Sequence, residues 1–258
     1  MAKRRIPLKS AREVEAIRRS CTIVCDVLAD VSKLCVPGAT TKEIDEACGA
    51  LISGRGARSA FLGYRGFPGN CCISVNEEVV HGIPGPRRLQ YGDIVKLDVG
   101  VLLDGWIGDS AITVAVGLID PATQKLLDVT ETALRLAIEK VKPGRRLGDV
   151  SHAVEDHVTR HGFSVVREFV GHGVGRRLHE EPQIPNYGTA GTGPELLPGM
   201  VLAIEPMVNA GRPDIVYRDD KWTVASADGS MSAHFEHTVV VTEGDAEILT
   251  CPGRTISK

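Results

Sequence analysis

The sequence predicts an α+β fold made of one unit used twice, two helices followed by strands, with a pseudo-twofold relation between the halves. Three observations carry this. Helical spacing of apolar residues gives way to strand-like stretches twice along the chain. The segment leading into the second helix of each pair reads alike, CVPGATTKEI at 35–44 and VKPGRRLGDV at 141–150, with an acidic residue five positions after Pro-Gly. A carboxylate also stands six residues after a glycine at the end of an apolar strand in each half, Gly92 to Asp98 and Gly199 to Glu205. Each of those strands follows a loop with a histidine and prolines, HGIPGP at 81–86 and HEEPQIP at 179–185. The expected organisation is a basic tail over 1–9 and a single domain over 10–258, with the internal repeat roughly 10–120 and 121–250. A site shared by the halves would lie between them.

Residues 10–34 form an amphipathic helix. Val14, Ile17, Cys21, Val24 and Leu28 recur at helical spacing, Ser10 and Glu13 make a capping box, and Pro37-Gly38 ends the run. Thr41 opens a second helix with Ile44, Ala47, Cys48 and Leu51 inward, stopping near Gly54 and Gly56. The glycine-punctuated stretch 59–76 sets Phe61, Tyr64 and Phe67 at every third position, either as a cover for the core or as the wall of a ligand pocket. Tyr91 to Val116 reads as two β-branched strands around Asp104-Gly105, a dipeptide that tolerates the positive φ of a hairpin turn. Asp98 and Asp109 sit nearly opposite across that turn, so their side chains converge on one face. Pro121 precedes a helix over 122–141 with Leu126, Val129, Ala133, Leu136 and Ile138 inward, and a further helix runs to about His161. Strand material at 163–170 leads to GHGVGRRLHEEP, with His172 and His179. A loop over 185–199 precedes the strand MVLAIEPMV, which carries Glu205. After a turn at Asp228-Gly229 the strand SAHFEHTVVVTE carries Glu236.

Composition narrows the function classes. Hydrophobic content of 43% and charged content of 24% are those of a globular protein, and a net charge of −3 gives no global footprint for nucleic acid. Lys3-Arg4-Arg5 is a short terminal cluster, a solvated tail or a contact to ribosomal RNA or another polyanion. No apolar run approaches the roughly 18 residues of a membrane span, and the N-terminus lacks an apolar signal core. Seven scattered cysteines with no CxxC pair point to reduced thiols in a cytoplasmic protein.

Asp98, Asp109, His172, Glu205 and Glu236 stand out as carboxylates and an imidazole set in apolar strands or glycine loops. Singly each has an ordinary reading: a turn carboxylate, a strand-end glutamate, a loop histidine, a solvated strand face. Together they form a hard, oxygen-rich donor set suited to Mn²⁺, Fe²⁺, Co²⁺ or Zn²⁺. So much negative charge calls for two ions, which can share a water and lower its pKa. His81 and His179 lie in the loops beside this set, placed to hydrogen-bond a substrate.

The run of motifs GYRGFP, CISVNEEVVHGIP, GDIVKLDVG, GDSA, FVGHGVGRRLHEEPQIP, GMVLAIEPM and SAHFEHTVVVT resembles the type I methionine aminopeptidases from about residue 10 to 250. The resemblance implies the pita-bread fold, a pseudosymmetric α+β enzyme with a curved antiparallel sheet backed by helices. It implies a dinuclear centre on Asp98, Asp109, His172, Glu205 and Glu236. Hydrolysis of the first peptide bond of nascent polypeptides would release methionine when the second residue is small. Glu205 would carry the proton, His179 would stabilise the developing oxyanion and His81 would contact the leaving nitrogen. The methionine side chain would lie among Phe61, Tyr64, Phe67, Cys72, Leu178 and Trp222. Two of these depart from the family pattern: bacterial members commonly have a small residue where this chain has Phe61, and phenylalanine where it has Leu178. A compact, bacterial-type monomer is implied, with at most transient ribosome contact, and Ala2 would make the chain its own substrate. Alternatives on the same fold are an Xaa-Pro aminopeptidase or prolidase, whose extra N-terminal domain has no counterpart here, a retuned paralogue, or a binding protein without catalysis.

Overall fold

The computed structural model describes residues 6–250, so Lys3-Arg4-Arg5 and Cys251 lie outside the described residues. Reciprocal capping boxes open both first-half helices, Ser10 with Glu13 for α1 (Ala11–Val31) and Thr40 with Glu43 for α2 (Thr41–Gly54). The stretch expected to continue α1 to residue 34 tightens into a 3-10 turn, Ser32–Leu34. On α2 the inward face is Ile44, Asp45, Cys48 and Ile52, with Ala47 and Leu51 only half-buried. Asp45 is turned inward because its carboxylate accepts the backbone N–H groups of Asn70 and Cys71, a set of bonds the apolar pattern does not reveal. In the second half α3 is Pro121–Ile138, capped by Asp120 with proline at its first position, and α4 is Leu147–Arg160. On α3, Leu134 and Ala137 are buried and Leu136 is half-buried, a small rotation from the expected face.

Each helix pair backs its own strands. Val24, Val27, Leu28 and Val31 of α1 and Ile44, Cys48 and Ile52 of α2 share one core with Val95, Leu97, Val99 and Val101. Leu126, Leu134, Ala137, Val150 and Val154 of α3 and α4 share another with Leu202, Ile204 and Val239. At about 1.5–3 kcal/mol for each fully buried Val, Leu or Ile, either core offsets much of the ordering cost of its helices. Among the described residues the strands pair antiparallel throughout. Lys9, the last residue of the expected tail, is tied to the second half: its N–H donates to Gly199 O at 2.7 Å and its Nζ meets Glu180 at 2.5 Å.

The first-half hairpin is Ile94–Leu103 with Trp106–Ala115, turned through Asp104 (φ +50°) and Gly105 (φ +79°). Its register pairs Asp98 with Ala111 and Asp109 with Gly100. The two aspartates, expected nearly opposite with converging side chains, lie two rungs apart on the same face. The expected strand at 163–170 is reduced to Ser164–Val165 and the start of Val170–Gly173.

The two long strands expected in the second half are each broken. MVLAIEPMV divides into Val201–Ile204 and Met207–Asn209, and SAHFEHTVVV into Ser232–His234 and His237–Val240. The outer pieces pair with one another, His237 opposite Ile204, and so do the inner ones, His234 opposite Met207. They lie in different sheets. Pro206 has no N–H to give the ladder and restricts Glu205 before it, so the ladder stops there. The partner strand breaks alongside, at Phe235-Glu236. Glu236 is thus not within a strand, as the sequence suggested. Both glutamates leave their ladders at the same level, where the chains change sheets.

Candidate metal centre

The breaks turn Glu205 and Glu236 toward the aspartate face of the hairpin, and hydrogen bonds across the halves fix that approach. Ser110 Oγ donates to Glu236 O at 2.6 Å, Glu236 N–H to Ala111 O at 2.8 Å, and Thr238 Oγ1 to Asp109 O at 2.8 Å. Asn186 Nδ2 donates to Glu205 O at 3.1 Å. His172 comes from the Val170–Gly173 strand, between two glycines. A Cβ on Gly173 would stand 2.2 Å from Glu181 O, so only glycine lets the neighbouring backbone approach there. His172 Nδ1 pairs with Gly173 O at 3.0 Å, which leaves Nε2 facing the carboxylates.

Donor atoms of Asp109, His172 and Glu236 all lie within 4.8 Å of one another. His172 Nε2 is 3.4 Å from Glu205 Oε1 and 3.8 Å from Asp109 Oδ2. Asp98 faces the same space, close enough to Glu205 and Asp109 for their charges to oppose its own. All five sequence-predicted ligands thus converge. Burial pushes the Asp98 carboxyl up to about 7 and that of Glu205 up to about 8. Burial, reinforced by the neighbouring carboxylates, pushes Asp109 and Glu236 well above the usual carboxylate range. The same burial pushes His172 down to about 3. Asp98 Oδ1, Asp109 Oδ1 and Glu236 Oε1 are buried without a hydrogen-bond partner. Orphaned carboxyl oxygens and a bare imidazole nitrogen, crowded together so that their negative charge must be compensated, fit divalent metal ions.

The flanking histidines differ in their surroundings. The His179 ring lies tilted against that of His172, centroids 4.3 Å apart, and its Nδ1 lies 2.8 Å from Tyr64 Oη. With the tyrosine hydroxyl donating, Nδ1 accepts and the ring proton sits on Nε2. The sequence reading gave Tyr64 only to the side-chain pocket and missed this contact. His81 holds φ +60°, a left-handed conformation that a non-glycine residue adopts at a cost of about 1–2 kcal/mol. Its ring meets Phe169 and Trp222 edge-on, centroids 5.2 and 6.2 Å away. Burial pushes His81 down to about 4 and also lowers His179, so both imidazoles are neutral at pH 7.

Phe61, Phe67, Cys72 and Leu178 are buried in one apolar cluster, with Tyr64 and Trp222 packed against it. Cys72 is the strand partner of Asp98, which sets this cluster against the carboxylates. Phe67 and Trp222 meet edge to face at 5.2 Å. Phe61 lies over Gly100, whose missing side chain makes the room: a Cβ there would stand 2.4 Å from the ring. A cavity of about 570 Å³ lined by His172, His179, Arg65, Arg177 and Glu181, among others, opens beside the centre.

One further residue belongs here that the sequence reading passed over. His234 is 1% exposed, both its ring nitrogens lack a hydrogen-bond partner, and its Nε2 lies 3.4 Å from Glu205 Oε2. Its signal was the alternation His234-x-Glu236, which puts both on one face of an extended segment.

A family model, metallopeptidase family M24, matches residues 15–243 of the chain. The chain belongs to that family. Within it the similarity is to methionine aminopeptidases. Methionine aminopeptidase 1 of Bacillus subtilis is 50% identical over 242 residues, 94% of this chain and 98% of that protein. Methionine aminopeptidase 1 of Mycobacterium tuberculosis is 43% identical, covering 96% of each. The crystal structure of the methionine aminopeptidase of Thermotoga maritima superposes with a TM-score of 0.94 at 47% identity, over 95% of this chain and 99% of that one. The prolidase of Pyrococcus furiosus shares the fold, with a TM-score of 0.79 at 24% identity over 96% of this chain and 66% of that one. The pita-bread expectation is met: the M24 fold joins helices and antiparallel sheet as the resemblance implied. Among the described residues no helix is long and apolar enough to cross a membrane.

Proposed function

We propose that this metallopeptidase removes the initiator methionine from polypeptides whose second residue is small, by hydrolysis of the first peptide bond. The observation that carries the reading is the convergence of Asp98, Asp109, His172, Glu205 and Glu236, with orphaned oxygens, against an apolar cluster that suits a thioether side chain. Full-length similarity to methionine aminopeptidases supports it. Those five residues would hold two divalent ions, Co²⁺, Mn²⁺, Fe²⁺ or Zn²⁺, whose chemistry is to acidify water and polarise a carbonyl. The chain's own groups do the rest. Phe61, Tyr64, Phe67, Cys72, Leu178 and Trp222 bind the methionine side chain and exclude water around it. His179 donates through Nε2 to the oxygen that becomes negative, with Tyr64 fixing the tautomer. His81 contacts the leaving nitrogen, and Glu205 moves the proton to it.

Hydrolysis of Met-Ala-Ser, assayed metal by metal beside a Met-Pro and an Ala-Pro-Ala peptide, tests the reading. Preferential cleavage before proline, or no cleavage with any of the four metals, would overturn it. His179→Ala should lower kcat by about 10²–10³-fold, the usual effect of losing one oxyanion donor, with metal content intact. His81→Ala should lower kcat/KM in the same way, and loss of metal from either variant in elemental analysis would make that histidine a ligand instead.

The pocket has its own test. Phe61 fills space that a smaller side chain at 178 leaves, so that volume is roughly kept. Leu178→Phe should therefore overfill the pocket and lower kcat/KM on Met-Ala-Ser, and adding Phe61→Cys should recover much of it. Residues that share a pocket couple by about 0.5–3 kcal/mol, so strictly additive effects would show that these two do not. The reading extends to a monomer acting on nascent chains in the cytoplasm, in line with free thiols at Cys21, Cys35, Cys48, Cys71 and Cys72. Transient ribosome contact would run through Lys3-Arg4-Arg5, and salt-sensitive co-sedimentation with ribosomes checks it.

A further inference from the structure

We propose that His234 is a positioning residue for Glu205: its Nε2–H holds Oε2 of that carboxylate, so that Oε1 stays turned toward His172 and the other metal-ligating side chains. The inference rests on the metallopeptidase reading and extends it to a residue outside the five ligands.

The carboxylate of Glu205 is flanked by two imidazoles, one on each oxygen. His172 Nε2 stands 3.4 Å from Oε1 and His234 Nε2 stands 3.4 Å from Oε2. The His172 side belongs to the group that could hold an ion, since donor atoms of Asp109, His172 and Glu236 lie within 4.8 Å of one another. His234 is not in that group and faces the far oxygen. A carboxylate that ligates through one oxygen can rotate about its last bond unless the other oxygen is held, and ligating carboxylates are held by outer hydrogen bonds as a rule. At 3.4 Å the contact is longer than a formed hydrogen bond, and contacts of this kind tighten when the reacting groups engage.

The backbone of His234 is fixed for this task. Thr113 Oγ1 donates to His234 O at 2.6 Å and accepts from His234 N–H at 3.0 Å, which ties the residue to the first-half hairpin. On its other side His234 pairs with Met207, two residues beyond Glu205. The His234 backbone is thus held on both sides, and the ring is buried with two idle nitrogens. Buried polar groups in folded chains are almost always paired; the Glu205 carboxylate stands 3.4 Å from Nε2, with Asp98 also near enough for its charge to act on the ring. A buried histidine kept only for packing would have a partner on at least one nitrogen.

Three variants test this. His234→Gln keeps an N–H donor at similar reach, His234→Asn keeps the amide but falls short, and His234→Leu keeps the volume without a donor. Folding is checked by near-UV circular dichroism, Mn²⁺ affinity and stoichiometry by calorimetric titration, and kcat and KM with Met-Ala-Ser. His234→Leu and His234→Asn should each lose about 10–100-fold in Mn²⁺ affinity and in kcat, with KM changed less, and His234→Gln should recover most of both. Unchanged affinity and kcat in the folded Leu or Asn variant would overturn the proposal. So would a Gln variant as impaired as Asn with one fewer Mn²⁺ bound, which would make the imidazole itself a ligand. Wild-type protein that binds Mn²⁺ but fails to cleave Met-Ala-Ser would sink the functional reading alone, because the affinity comparison still reports on His234.

Discussion

Glu205→Gln is expected to lower kcat on Met-Ala-Ser by about 10²–10⁴-fold, the range that positioned acid–base groups contribute, while the chain stays folded. The substitution keeps the shape of the side chain and removes its charge and its proton-carrying capacity together. Glu205 stands at the break between Val201–Ile204 and Met207–Asn209, so it carries no ladder hydrogen bond that the amide would lose. Its backbone carbonyl is held by Asn186 irrespective of the side chain. Burial already pushes the Glu205 carboxyl up to about 8, which suits a group that takes and returns a proton near neutral pH. Metal content measured by elemental analysis separates the two roles: a weaker ligand lowers occupancy, whereas a lost proton carrier lowers turnover at full occupancy. Near-wild-type kcat with full occupancy would remove the proton-carrier assignment.

Stripped of metal, the protein should lose thermal stability as pH rises from about 6.5 to about 8, the reverse of its metal-loaded form. The carboxyls of Asp98 and Glu205 are raised to about 7 and about 8 from ordinary values of 3.8 and 4.5. A raised carboxyl contributes stability that is fully present below its unfolded value and is lost as pH rises through its folded value. Asp109 and Glu236 are displaced in the same direction by the same burial. The lowered imidazoles of His81, His172 and His234 act in the opposite sense, but only below their unfolded value of 6.5. Above about 7 one buried lysine also opposes the trend, since burial pushes Lys96 down to about 7. The raised carboxyls of Glu205, Asp109 and Glu236 outweigh it there. Divalent ions replace the shared protons, so the stabilisation by Mn²⁺ should grow with pH over the same interval. A melting temperature of the metal-free protein that rises from pH 6.5 to 8 would contradict this account of the carboxylate cluster. Glu205→Gln should flatten the metal-free profile near pH 8, which ties the two predictions to one side chain.

Much of this molecule is legible in local pattern. The capping boxes at Ser10-Glu13 and Thr40-Glu43, the hairpin turn at Asp104-Gly105 and the helix stops at Pro-Gly rest on hydrogen bonds and φ preferences within a few residues. Errors arose where a side chain answers to a distant partner. Asp45 sits on the inward face of α2 because the backbone of Asn70 and Cys71 needs its carboxylate. His234 reads as an ordinary strand residue until Glu205, 29 positions earlier in the chain, is brought against it.

Local pattern marks which side chains stand out: carboxylates and an imidazole inside apolar strands, where an ionised group has no cause to be unless something compensates it. That judgement needs only residue type and neighbours, because the desolvation cost of a charge follows from the apolar run around it. The tertiary structure alone decided how they meet. The departure of Glu205 and Glu236 from their ladders follows from paired breaks in strands that belong to different sheets. That sheet exchange is set by contacts between segments far apart in the chain, so no window of sequence contains it, whereas the two-rung offset of Asp98 and Asp109 follows from the two-residue turn at Asp104-Gly105 and is a local matter.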